Sequence, residues 1–270
     1  MLKQRVITAL ILAPLALWGI WALSSQAFAG VIAVIFAMGA WEWTRLSGLH
    51  KTPGRVLYVA LLIGLMAGIY QLLQQQPNWS LVILLLAVMW WTLALMSVLG
   101  YPQSATMWRQ AALRGVVGGL ILLPSWAAML LLHRDFGPGY VILLVMLIWG
   151  ADTGAYFAGR AFGHHKLAPK VSPGKTWEGV IGGMLLALAV AGVATIWLKP
   201  VGGMSAFLIL VVMTVAISVL GDLVESLFKR IVDLKDSGGL LPGHGGVLDR
   251  IDSLTAAAPL FTLGLIWLSR

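Results

Sequence analysis

Long apolar runs alternate with short polar stretches along almost the whole chain. Nine runs can be marked, at about 6–24, 27–41, 56–73, 79–99, 111–132, 140–162, 177–198, 205–227 and 252–268. Most are of the order of 20 residues, the length an α-helix needs to cross about 30 Å of hydrocarbon. Between Arg55 and Arg109 there is neither a charged residue nor a histidine. The pattern predicts an all-α polytopic membrane protein with about nine transmembrane helices, built as a single integral membrane domain over residues 1–270.

Composition strengthens this reading and removes others. Hydrophobic residues make up 60% of the chain and charged residues only 10%, against about 45–50% apolar in soluble domains. A soluble fold of this size could not hide so much apolar surface. The start of the chain imitates a secretory signal, ending in Ala27-Phe28-Ala29. Its apolar stretch is longer than such signals use, and a second run follows at once, so it reads as the first span. The absence of cysteine excludes disulfides, thiolate metal sites and cysteine nucleophiles.

Charge placement gives the expected topology. With the N-terminus on the cytoplasmic side, 15 of the 18 lysines and arginines fall in inside loops, leaving Arg134, Lys199 and Arg270 outside. That asymmetry obeys the inside-positive rule and puts the C-terminus on the opposite side. A net charge of +8 then reflects loops and whatever anion the protein handles. Nucleic acid is a poor partner for it, because there is no soluble basic domain to hold one. Five glycine pairs spaced four apart (Gly64/Gly68, Gly115/Gly119, Gly150/Gly154, Gly159/Gly163, Gly179/Gly183) suit close helix approach and offer a homodimer contact.

Acidic residues divide the chain unevenly. Only Glu42 precedes Asp135, and the remaining eight lie from Asp152 onward. Residues 1–134 therefore read mainly as scaffold and 135–270 as the catalytic half. Three polar islands stand out there. In "WGADTGAYFAGR", 149–160, Asp152 falls within or at the edge of a span, where a carboxylate is costly and needs a cavity or a partner; a plain Asp–Arg lock between helices is the structural alternative. In "HHKLAPKVSPGKTWEG", 164–179, Pro169 and Pro173 hold the chain extended. Lys170, Ser172, Lys175 and Thr176 precede a helix start that favours anions, so the segment suits a polyphosphate or serves as an ordinary basic loop. His164-His165 is not expected to bind metal, since adjacent side chains point apart.

The third island is the densest in charge. Asp222, Glu225, Ser226 and Lys229 are spaced for one helical face. A glycine-rich stretch follows, then Asp249 and Asp252, three residues apart. Hard oxygen donors without cysteine select Mg²⁺ over zinc. Carboxylates for such an ion beside lysine and arginine for phosphate are what phosphoryl or nucleotidyl transfer requires.

The residues Ser226, Lys229-Arg230, Lys235-Asp236, Pro242, His244-Gly245-Gly246, Asp249-Arg250 and Asp252, at these spacings, reproduce the signature of the phosphatidate cytidylyltransferases, and the chain resembles that family, in particular its bacterial members. The resemblance implies transfer of the cytidylyl group of CTP to phosphatidate, giving CDP-diacylglycerol and pyrophosphate, at the cytoplasmic face of the inner membrane in phospholipid biosynthesis. By resemblance and position, Asp222 and Asp249 are the expected ligands of Mg²⁺, and the family's sites accept a second cation. Lys229, Arg230, Lys235 and Arg250 are expected to neutralise phosphates, with Asp236 and Asp252 orienting those cations or completing the metal's surroundings. Lys170, Ser172, Lys175 and Thr176 are expected to meet the triphosphate. Asp152 would reach the metal or hold a basic residue, and His244 would touch phosphate, protonate pyrophosphate or brace its loop. Two other readings of the in-membrane acids are a CTP-dependent lipid kinase of the polyprenol or phytol type and an ion-coupled transporter.

Overall fold

The computed structural model describes residues 2–240 and 245–270, with side chains described from Ile11 onward. Nine helices are found among the described residues: α1 (Leu2–Ala22), α2 (Ser25–Leu46), α3 (Thr52–Gln75), α4 (Trp79–Leu99), α5 (Ala111–Leu131), α6 (Pro138–Phe162), α7 (Trp177–Ala194), α8 (Met204–Ile231) and α9 (Leu248–Leu268). Eight of them, α2 to α9, are long and apolar enough to cross a bilayer. α1 has 21 residues. The chain is an all-α polytopic membrane protein, and the apolar runs locate its helices to within a few residues.

Two boundaries differ from the hydropathy pattern in an informative way. α8 runs on to Ile231, past the apolar run that ends near 227, and α9 begins at Leu248 rather than near 252. Lys229 in one extension pairs with Asp249 in the other, so helix continues where hydropathy fails. The segment 164–176 also has more order than an extended loop. Strands β1 (Lys166–Ala168) and β2 (Ser172–Thr176) pair antiparallel, Lys166 opposite Thr176 and Ala168 opposite Ser172.

Burial ranks the helices. α5, continued by a wide turn through Phe136, is the central one, with 67% of its span buried, whereas α3 lies at the edge with 17%. The largest fully buried side chains are Trp43, Trp91, Phe36, Phe207, Phe228 and Phe261. α6 and α7 share the most extensive interface. A Cβ on Gly154 would stand 2.5 Å from the Gly182 carbonyl oxygen, and one on Gly183 equally close to that of Ala151, so only glycine lets these two backbones meet. Gly64 and Gly68, by contrast, have nothing within 4 Å of a Cβ. Four residues of this core, Trp43, Trp90, Trp108 and Phe228, stack edge to face with centroids 5.3 to 5.9 Å apart. Phe228, which joins them, is the residue before Lys229 on α8.

Candidate active site

The polar end of α8 meets the start of α9 in a cluster of charge. Asp222, Glu225, Ser226 and Lys229 share one face of α8, as their spacing requires: the Ser226 hydroxyl donates to Asp222 Oδ1 at 3.2 Å and Lys229 Nζ lies 3.5 Å from Glu225 Oε1. Lys229 also donates to Asp249 Oδ1 at 2.8 Å, which ties the two helices together. Their approach depends on Gly221, where a Cβ would stand 2.5 Å from the Asp252 carbonyl oxygen. Glu225 is 3% exposed. Its carboxylate has Lys229, Asp249 and Asp252 as charged neighbours, yet no N–H or hydroxyl of a described residue donates to either oxygen. A small cavity beside it, lined by Glu225, Asp252, Thr255 and Gly221, has about 10 Å³ of room for the centre of a water molecule.

The β-hairpin docks on this cluster from the side. Lys175 Nζ, from β2, is 2.7 Å from Asp222 Oδ2. Arg230, exposed at the end of α8, donates through Nε to the Val171 carbonyl at 3.3 Å. Thr176 is buried, and its hydroxyl accepts the Gly179 N–H at 3.1 Å as the N-cap of α7. Ser172 is half-buried opposite Ala168, while Lys170 is exposed in the hairpin turn, joined to no other described residue. His165 pairs with Glu178. Its Nδ1 lies 2.6 Å from Glu178, whose carboxylate also takes the His165 backbone N–H, an arrangement that braces the base of the hairpin. Asp152, on α6, is exposed, with Lys175, Asp222 and Arg250 as its charged neighbours.

The loop between α8 and α9 brings in a residue that sequence reasoning passed over. Glu42, on α2, is 1% exposed, and its Oε2 accepts the backbone N–H of Leu248, the first residue of α9, at 2.7 Å. Gly238 packs directly against this carboxylate, and a Cβ on Gly246 would stand 2.6 Å from Oε2. One turn further along α2, Arg45 donates to the Ser237 carbonyl at 3.1 Å. Both limbs of the loop are thus held by α2, a helix from the stretch read as scaffold. Asp249 closes the loop from the other side by accepting the Gly246 N–H at 2.9 Å. Lys235 and Asp236 are exposed and are not joined to another described residue. His244 lies outside the described residues. The signal that could have found Glu42 is its isolation as the lone acid in the first 134 residues.

The donor chemistry fits a hard divalent cation. Asp152, Asp222, Glu225, Asp249 and Asp252 are linked as electrostatic neighbours, and the cations beside them are Lys175, Lys229 and Arg250. The carboxylates outnumber the cations and all donors are oxygen, the ligand type that hard cations take, and the buried Glu225 oxygens have no hydrogen-bond donor among the described residues. In this arrangement Lys175 and Lys229 occupy Asp222 and Asp249, and among the described residues no three acids or histidines converge on one point.

A family model described as the cytidylyltransferase family matches residues 3–267. The phosphatidate cytidylyltransferase of Pseudomonas aeruginosa is 49% identical over 99% of this chain and 97% of its own length. The enzyme of that name from Haemophilus influenzae is 44% identical, covering 97% of this chain and 98% of its own. That from Brucella suis is 38% identical over 97% and 92%. With a family model spanning nearly every residue and relatives matched end to end, this chain belongs to the cytidylyltransferase family.

Proposed function

We propose that the protein transfers the cytidylyl group of CTP to phosphatidate, releasing pyrophosphate and leaving CDP-diacylglycerol in the membrane. The observation that carries this reading is the buried charge cluster between α8 and α9, placed at one end of an otherwise apolar bundle. An oxygen of the lipid phosphate attacks the α-phosphorus of CTP, the new P–O bond forms, and the bond from that phosphorus to the bridging oxygen of the β-phosphate breaks. A phosphate monoester is largely doubly ionised at pH 7, since its second pKa is about 6, so no side chain has to remove a proton. What the protein must supply is positive charge and alignment for two anions that repel.

Lys229 and Arg230 at the end of α8, Lys235 in the following loop and Arg250 on α9 take that role for the reacting phosphates. Lys170, Lys175, Ser172 and the Thr176 hydroxyl proton receive the triphosphate along the hairpin. Asp222 and Asp249 would hold Mg²⁺, which supplies charge neutralisation on the triphosphate and the departing pyrophosphate, and the site has carboxylates to spare for a second cation. Asp152 and Asp252 hold the basic side chains in place, Asp236 would turn to Lys235 or the metal's surroundings only once substrate is bound, and His244 braces or protonates at the phosphate. Lys175 and Lys229 move from their carboxylates onto phosphate oxygens as substrate and cation arrive. The loops that form this end carry most of the chain's lysines and arginines, which orients it, and the N-terminus, toward the cytoplasm in a bacterial inner membrane.

Purified protein given phosphatidate and CTP labelled separately at the α- and γ-phosphates tests this. Lipid labelled from the α-position, with release of pyrophosphate and loss of both in Asp249→Asn, is the expected result. Label from the γ-position alone would make the protein a lipid kinase. Ion flux without CTP would return it to the transporters.

A further inference from the structure

On the outer face of α2 an apolar groove of ≈ 460 Å³ runs between α2 and α3. It is walled by Val34, Ala37, Met38 and Trp41 of α2 and Ile63 of α3, and closed by Leu240 of the α8–α9 loop. Leu240 is a large apolar side chain left 43% exposed on a loop otherwise rich in charge and glycine. Its position carries the loop against the bilayer-facing surface. From Ala33 to Trp41 the groove follows eight residues of helix, about 12 Å, close to the ~15 Å depth of one hydrocarbon leaflet.

Chemistry changes at the polar end of the groove. The Arg55 guanidinium lies 3.9 Å over the Trp41 ring and donates to the Thr44 hydroxyl and the Trp41 carbonyl. Arg45, one helical turn on from Trp41, reaches the Ser237 carbonyl. An apolar slot one leaflet deep that ends in two arginines matches an anionic lipid lying parallel to the helix, tail inward and phosphate at the rim. The loop wall of the slot is joined to the reaction cluster by a chain of contacts. Leu240 follows Gly238, which packs on Glu42. Glu42 receives the N–H of Leu248, beside Asp249, and Asp249 holds Lys229. We infer that this groove seats one acyl chain of the lipid substrate and is where phosphatidate passes from the bilayer to the charge cluster. The inference rests on the function proposed above and names the route its lipid takes.

The test fills the slot and varies the tail. Ala37→Trp is assayed for cytidylyl transfer with dioleoyl and with dihexanoyl phosphatidate, beside Leu86→Trp on the exposed face of α4 as a control. The KM for the dioleoyl lipid rises about fifteenfold, the effect of two lost buried methylenes. The KM for CTP and the kcat/KM for the short lipid stay within twofold, and the control matches the wild type throughout. An equal change for both lipids, or none for either, overturns the groove. A phosphatidate carrying a photoreactive group near its chain end gives an independent readout. It labels α2 or α3 of the wild type, and excess dioleoyl phosphatidate competes while dioleoyl phosphatidylcholine does not. Equal competition would make the groove an ordinary annular lipid site, and disulfide-linked dimers of Ala37→Cys would assign it to a second copy. Should the wild type transfer nothing to either lipid, the functional proposal falls, while the labelling experiment still decides the groove.

Discussion

Replacing Glu42 by alanine separates a scaffold role from a positioning role for α2. In the folded protein this carboxylate is 1% exposed and receives the Leu248 N–H at 2.7 Å. That N–H belongs to the first turn of α9, where the helix itself provides no acceptor. A hydrogen bond to a charged group contributes about 1.5–3 kcal/mol, and a buried N–H left without an acceptor costs a similar amount. Loss of this one contact therefore moves the equilibrium between the docked and undocked loop by roughly 10- to 150-fold, at about 1.4 kcal/mol per decade. Asp249 and Arg250 ride on the same turn, so kcat/KM for CTP falls by up to that factor in Glu42→Ala. Glu42→Gln keeps an oxygen at the same reach without the charge and is expected to lose only about tenfold or less, since neutral hydrogen bonds contribute about 0.5–1.5 kcal/mol. The assay is cytidylyl transfer normalised to the folded fraction from size exclusion and thermal unfolding. Wild-type kcat/KM in Glu42→Ala, or equal losses in the alanine and glutamine variants, would refute the reasoning.

Three further outcomes are expected. Lys229→Met leaves Asp249 and the buried Glu225 without their shared cation, so it abolishes transfer and lowers thermal stability by about 3–5 kcal/mol. Adding Asp249→Asn recovers much of the stability but none of the activity, which a scanning unfolding experiment beside the product assay would read. Gly221→Leu forces α8 from α9 at the Asp252 carbonyl and removes activity, whereas Gly64→Leu, with open space around its Cβ, leaves it within twofold. Arg114→Ala strips donors from the Leu46, Trp108 and Arg109 carbonyls; the yield of folded protein falls while the remaining fraction keeps its kcat, and Arg114→Lys does not restore the yield because an ammonium lacks the planar fork.

The helices and much of the cluster were legible because two simple periodicities govern them. Runs of about 20 apolar residues mark spans wherever lipid is the solvent, and i, i+3, i+4, i+7 spacing places Asp222, Glu225, Ser226 and Lys229 on one face whatever surrounds them. Spacing cannot show which partner each charge meets across a gap in sequence. The Lys175–Asp222 and Lys229–Asp249 pairs, the hairpin register and the Glu42 clamp over 206 residues depend on how the bundle closes. The glycine pairs illustrate the same limit: those of α6 and α7 bring backbones into contact, while Gly64 and Gly68, identical as a pattern, face open space. Thr176 looked like a phosphate ligand by its place before a helix, and that same place makes it the cap of α7.

Arg114 also bears on how the protein is made. In sequence it is one more positive charge after an apolar run, the kind that directs a nascent helix. In the fold it is buried, and it satisfies the carbonyl at the very end of α2, 68 residues earlier in the chain. Until the ribosome has delivered α5, that carbonyl at the edge of the bilayer lacks its final partner, and the Trp43 indole, which donates to the Arg114 carbonyl at 2.7 Å, lacks its own. Helices α2 to α4 can enter the membrane one by one, but they become a finished bundle only when the fifth arrives to lock the second. A stall or truncation between residues 100 and 114 would present the quality-control machinery with inserted yet unlocked helices.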